Sequence, residues 1–263
     1  MYLLLTDETN RNPTNAAKFF IYGGVFFPYA AIDSLDAAIR QIRAETGYRA
    51  GDQLKFDTHC RPTHVSQEQA TRAKNRVLEA AVAHGVKFIV YMILHDIIKN
   101  KNPHEQLTWA ADHVFGRFND FLVQETTFGI CIVDNLPTDR EFQYLSDKHQ
   151  VGLQLVGGAV RPLDRIKLFA STTCNAGNVN SVMDIVLGGF RYCVNSNTES
   201  QLEASRSIMA HLKNLIWKRN GRFIKSGLIV RPMEIRSQPY QVEYANALQK
   251  LKALLDPEVE QPA

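Results

Sequence analysis

YLLLTDETNRNPTNAAKFFIYGGVFFP, residues 2–28, decides how the rest of the chain is read. YLLLT (2–6) is a short apolar run closed by Asp7-Glu8, TNRNPTN (9–15) is rich in turn formers, and KFFIYGGVFFP (18–28) is aromatic and β-branched up to Pro28. Two such runs about a turn predict an antiparallel hairpin. Gly23-Gly24 inside the second run predicts a bulge or the close approach of another backbone.

Outward from the hairpin, strand and helix patterns alternate. Apolar spacing and a terminal Gly predict a helix over 31–47, and GDQLKFDTHCRP (51–62) reads as a strand edge plus loop. SQEQATRAKNRVLEAAVAHG (66–85) is a helix with Ser66 as N-cap and Gly85 at its end. VKFIVYMILHD (86–96) and FGICIVDN (128–135) are buried strands, with an amphipathic helix over 104–126 between them. Next come a helix over 138–150, an extended segment over 165–172 and a buried helix, VNSVMDIVLGGFRYCVN (179–195). A helix over 198–221 capped by Gly221, a strand within 223–233, a helix over 239–255 and a frayed tail complete the chain. This order predicts an α/β fold, a mixed sheet flanked by helices. Residues 1–195 form the main domain, and 196–263 a helix/strand elaboration packed on the same domain.

Composition narrows the class. The chain has 263 residues, of which 45% are hydrophobic and 22% charged, so it can bury a core and is not disordered. Its net charge of +3 permits a nucleic-acid partner without arguing for one. No run reaches the roughly 18 apolar residues of a membrane span, and the N-terminus lacks the basic region of a signal peptide, so a cytoplasmic protein is expected. Cys60, Cys131, Cys174 and Cys193 form no C-x-x-C pair and read as reduced thiols, with Cys131 in the core.

Three acids stand where acids are costly. Asp7 is placed just past the end of one buried strand, Asp134 at the end of another, and Asp184 inside the apolar helix segment VMDIVLGG. Buried carboxylates are paired or bind metal. Ligands of α/β sheets gather at the carboxyl ends of strands, so Asp7 and Asp134 fit one site, to which a helix packed on the sheet adds Asp184. Clustered carboxylates repel one another until a proton or cation offsets them, and an all-oxygen set selects Mg2+ or Mn2+. Two such ions suit phosphoryl displacement. Taken singly, Asp134 also reads as a turn or cap residue, and Asp184 as the partner of Arg191 or Lys167.

These elements together resemble a family. TDET (6–9) followed by FFIYGGVFF (19–27) looks like the opening of the family called domain of unknown function 3800. GDQLKF (51–56) is similar to its E-x-K element, IVDN (132–135) to its mid-chain strand acid, and VNSVMDIVLGGFRY (179–192) to its late helix. The resemblance covers roughly residues 1–195. It implies a ribonuclease H-like fold and a metal-dependent nuclease cutting DNA or RNA by a two-metal-type mechanism, in mobile elements or antiviral defence. It implies Asp7, Asp134 and Asp184 as metal ligands, with Glu8 a further candidate. It also implies Lys55 as the family's lysine, contacting the scissile phosphate or a leaving oxygen. The chain departs from the pattern at Gln53, where the family has an acid; Asp52 is the neighbour that could replace it.

KNLIWKRNGRFIK (213–225) is rich in basic residues around Trp217 and Phe223. Lys218, Arg219 and Arg222 are therefore candidate phosphate contacts, unless this is a solvated helix end with its Trp in the core. Arg161, Arg165 and Lys167 form a second, weaker patch. DTHCRPTH (57–64) holds zinc-ligand types in no standard finger spacing, and reads either as a surface loop or as a loop with His59 or His64 touching substrate. No G-x-S-x-G or phosphate-loop pattern occurs. The leading expectation is a nuclease acting on nucleic acid. The alternatives are a weak or inactive subunit that binds nucleic acid or a protein partner, and another metal-dependent phosphotransfer in the same site.

Overall fold

The computed structural model describes every residue except 15–16, 135–140, 156, 174–175 and 256–263. The expected start of the helix at 138–140, Cys174 and the C-terminal tail therefore lie outside the described residues. The elements are β1 (Tyr2–Thr9), β2 (Phe19–Pro28), α1 (Ile32–Glu45), α2 (Gln67–Ala83), β3 (Lys87–Leu94), α3 (His95–Ile98), α4 (Pro103–Gln124) and β4 (Gly129–Asp134). They continue as α5 (Glu141–Gln150), β5 (Leu153–Gln154), β6 (Val160–Arg161), β7 (Ile166–Thr172), α6 (Asn180–Asn195), α7 (Glu199–Leu215), β8 (Leu228–Arg231) and α8 (Gln238–Leu255).

The protein is α/β, built on a mixed six-stranded sheet in the order β7-β4-β1-β2-β3-β8. β1, β2 and β3 form an antiparallel meander; β4 and β7 run parallel to β1, and β8 runs parallel to β3. The period-two alternation of these strands makes two cores. Leu3, Leu5, Ile21, Val25, Val90 and Met92 face α6 and the helices behind it. Leu4, Tyr22, Phe26, Ile89 and Tyr91 face α4. The segment after residue 195 contributes α7 and α8 and supplies β8 to the main sheet. Among the described residues no helix is long and apolar enough to cross a membrane.

Four sequence expectations are corrected. β1 continues through Asp7 and Glu8 to Thr9, so Asp7 lies within the strand, opposite Gly23. The register of β2 is unbroken at Gly23-Gly24, which leaves close approach rather than a bulge: a Cβ on Gly23 would stand 2.8 Å from Leu187 Cδ1 of α6. Residues 51–62 form no strand but a loop with a short turn at Thr58–Cys60. α7 ends at Leu215 rather than at Gly221, because Trp217 is buried against Phe121 and its N–H donates to Phe88 O at 2.9 Å. That contact pulls the chain out of the helix, and Gly221 follows in a turn at φ +76°.

Candidate active site

Strand alternation and register build the first half of the site. Thr6 pairs with Val133 in the parallel β1–β4 ladder, so Asp7 and Asp134 stand side by side at the carboxyl ends of adjacent strands. Leu3 and Leu5 face α6, and so therefore does Asp7; Ile130 and Ile132 pack on the same core, which puts Asp134 on that face too. The absent side chain at Gly23, beside Asp7, lets α6 lie close against the sheet. Asp184 on α6 thereby reaches the same place: Asp7, Asp134, Asp184 and Lys55 line one hollow, with Thr172, Asn180 and Ser181 on its wall.

A second close approach brings in the loop. A Cβ on Gly188 would stand 2.4 Å from Phe56 Cβ, so the loop holding Phe56 rests directly on α6. The Phe56 N–H donates to Asp184 Oδ2 at 2.7 Å, and Lys74 Nζ lies 4.4 Å above the Phe56 ring. Lys55, the preceding residue, is thus held over the acids. A second hollow adjoins the first across Lys55, bounded by Asp7, Glu8, Asp57, Asp184 and Arg191. Asp184, Gly188 and Arg191 stand at i, i+4 and i+7, one stripe of α6.

The electrostatics are those of crowded carboxylates. Burial, then Glu8 and Asp134, pushes Asp7 up to about 8, although its Oδ1 accepts the Glu8 N–H at 2.7 Å. Burial also raises Glu8 and Asp184. Glu8 is opposed by Arg11, which it meets at 3.1 Å, and Asp184 by the Phe56 N–H, Lys55 and Arg191. Neither Arg191 nor Lys167 forms the ion pair with Asp184 that the alternative reading required. The Lys167 ammonium instead donates to Asp164 O at 2.7 Å.

The donors fit a hard cation in kind: all are carboxylate oxygens, and burial together with their mutual repulsion holds a proton on Asp7 that a cation would displace. Their present arrangement is open. Among the described residues no three His, Cys, Asp or Glu side chains are gathered closely enough to hold an ion.

Other candidates are placed elsewhere. Gln53 is exposed and lines neither hollow; Asp52 accepts the Arg49 N–H at 2.6 Å and lies 3.0 Å from His64 Nε2, so it does not stand in for the family's acid. His59 is exposed on the loop, its N–H donating to Asp57 Oδ1 at 2.9 Å. Lys218, Arg219 and Arg222 are exposed near the start of β3, away from the acids, and Trp217 is in the core. Arg191 and Asp57 belong to the site although the sequence reading gave them no catalytic or binding role; the i, i+4, i+7 stripe was the available signal for Arg191. No protein-family model matches the chain, and no curated protein matches it.

Proposed function

We propose that the protein is a ribonuclease H-like, metal-dependent nuclease that hydrolyses phosphodiester bonds of DNA or RNA. The fold part of this reading is supported by the sheet, an antiparallel meander extended on the β1 side by two strands parallel to β1. The observation that carries the activity is the convergence of Asp7, Asp134 and Asp184, from three separate elements, on one hollow beside Lys55.

Asp7, Asp134 and Asp184 would hold Mg2+ or Mn2+, which when bound supplies charge neutralisation and activation of water for phosphoryl displacement. The chain's own residues then do three things. The Asp184 carboxylate fixes the Lys55 loop through the Phe56 N–H. Lys55 brings a positive charge to a phosphate lying over the acids. Asp7 releases to solvent the proton that burial and its crowded neighbours impose on it.

The test is cleavage of labelled single- and double-stranded DNA and RNA with Mg2+, Mn2+ or EDTA. Wild type is expected to cut one or more of them only with metal, and Asp134→Ala to lower the rate by about 100-fold or more. Cutting that Asp134→Ala leaves unchanged would dismiss this site. A second reading, a non-cutting subunit that binds nucleic acid or a protein, is favoured by one observation: with Gln53 exposed and Asp52 tied to Arg49 and His64, neither supplies the acid that the resemblance places two residues before Lys55. Absence of cutting on every substrate would favour that reading.

A further inference from the structure

Charged groups in a cleft ordinarily find partners, because a half-desolvated cation without one is costly. In the second hollow the acids are largely accounted for. Glu8 meets Arg11, Asp57 accepts the His59 N–H, and Asp184 accepts the Phe56 N–H. The two cations act on Asp184 only from a distance. Lys55 and Arg191 are both half-buried and both line this hollow, yet neither makes a hydrogen bond or ion pair among the described residues. Arg191 thus offers a planar fork of donors to an open space. Its place on the sequence is fixed by the same stripe that places Asp184, two turns earlier on α6.

We propose that Arg191 and Lys55 form an anion seat in the second hollow, and that it holds a phosphate of the nucleic-acid strand next to the one lying over the acids. The proposal rests on the nuclease reading for the identity of the ligand, but not for the existence of the seat. The geometry supports a strand rather than an isolated anion. The two hollows adjoin across Lys55, so consecutive phosphates of one strand can occupy them together. A guanidinium suits the outer position because it takes two phosphate oxygens at once and stays charged at any working pH. The neighbouring acids do not forbid the anion: Glu8 is met by Arg11, Asp184 accepts the Phe56 N–H, and a cation at the acids would offset their remaining charge.

The experiment is fluorescence anisotropy of end-labelled DNA and RNA, single- and double-stranded, binding to the full chain. It uses Ca2+ as a hard cation for the acid site, over a series of salt concentrations. Arg191→Ala is expected to weaken binding of the preferred strand by about 5–10-fold and to reduce the salt slope by roughly one phosphate contact, about 0.7–0.9. Arg191→Lys, which keeps the charge, is expected to retain the slope. Arg191→Gln, which removes the charge but keeps most of the stem, carries the same test should Arg191→Ala misfold by circular dichroism. Wild-type affinity and slope in both neutralised variants would overturn the seat, and failure of wild type to bind any strand would overturn the strand assignment. Displacement of the strand by millimolar inorganic phosphate at constant ionic strength would show a seat for free phosphate and overturn the strand assignment. Absence of metal-dependent cutting, with the Arg191 dependence intact, would remove the nuclease reading and leave the seat standing.

Discussion

Asp112 on α4 and Asp184 on α6 are two acids on amphipathic helices, packed on opposite faces of one sheet. Burial raises the pKa of both. Their partners differ. Asp112 Oδ1 accepts the Tyr144 hydroxyl at 2.7 Å and Oδ2 accepts the Lys148 ammonium at 2.8 Å, so each oxygen has a side-chain donor and α5 is locked onto α4. Asp184 accepts one backbone N–H at 2.7 Å, and the cations beside it stop short of an ion pair. Burial and a shifted pKa therefore do not separate an anchor from a site. Completeness of the partner set does: a closed set holds two helices together, while an open set in a hollow leaves capacity for something from outside.

The largest effect should come from the closed acid. Asp112→Ala leaves the Lys148 ammonium, whose side chain is 10% exposed, and the Tyr144 hydroxyl without their acceptor. The expected loss is about 3–4 kcal/mol of unfolding free energy in urea, with metal-dependent cutting per folded molecule unchanged. Asp184→Ala should cost only about 1 kcal/mol, one hydrogen bond, while abolishing cutting. Equal stability losses in the two variants would break the contrast and make Asp184 a second anchor.

Asp7 sharpens the contrast through pH. Its folded pKa, about 8, lies above the ordinary 3.8, so the protonated acid favours the folded state. That contribution is complete below about pH 4 and is lost as pH rises toward 8. Asp7→Asn carries no such charge. In EDTA it should match wild type near pH 4 and exceed it by a margin that grows as pH rises to 8. Mg2+ should narrow the gap at pH 8 by stabilising wild type alone. A difference that does not change between the two pH values would mean that neither burial nor the neighbouring acids raise Asp7.

Much of this was legible in the sequence, for identifiable reasons. The hairpin, the capped helix after Ser66 and the buried runs of β3 and β4 follow from local pattern, and their order gave the mixed sheet. Asp7, Asp134 and Asp184 stood out as acids in apolar settings. Long-range contacts were not legible. The end of α7 is set by Trp217 reaching Phe121 and Phe88, which no local signal encodes. The 51–62 segment looked like a strand edge because Leu54 and Phe56 are buried, but they pack on a helix rather than join a ladder. Arg191 looked like the neutraliser of Asp184, since spacing along a helix does not say whether a side chain closes on its neighbour or faces a hollow. Basic residues at 218–222 suggested a phosphate track by density alone, and the fold puts them elsewhere.

The smallest effect lies in the glycine pair that lets the loop rest on α6. Gly188 and Gly189 are adjacent in one helix, where Gly→Ala normally gains about 1 kcal/mol. At Gly189 an added Cβ meets Ile208 Cγ2 at 3.1 Å, a contact that a shift of a few tenths of an ångström relieves, so most of that gain should survive in Gly189→Ala. At Gly188 it meets Phe56 Cβ at 2.4 Å, an atom that cannot rotate away without moving the loop backbone. Gly188→Ala should instead cost about 1–2 kcal/mol and lift Phe56 from α6, carrying the N–H away from Asp184 and Lys55 away from the acids. Trypsin reads the second consequence directly. Cleavage after Lys55 should be faster in Gly188→Ala than in Gly189→Ala at matched global stability. Equal protection of Lys55 in both would mean that the loop is held by Asp184 and Lys74 alone, and that the open acid set owes nothing to the closeness of the helix.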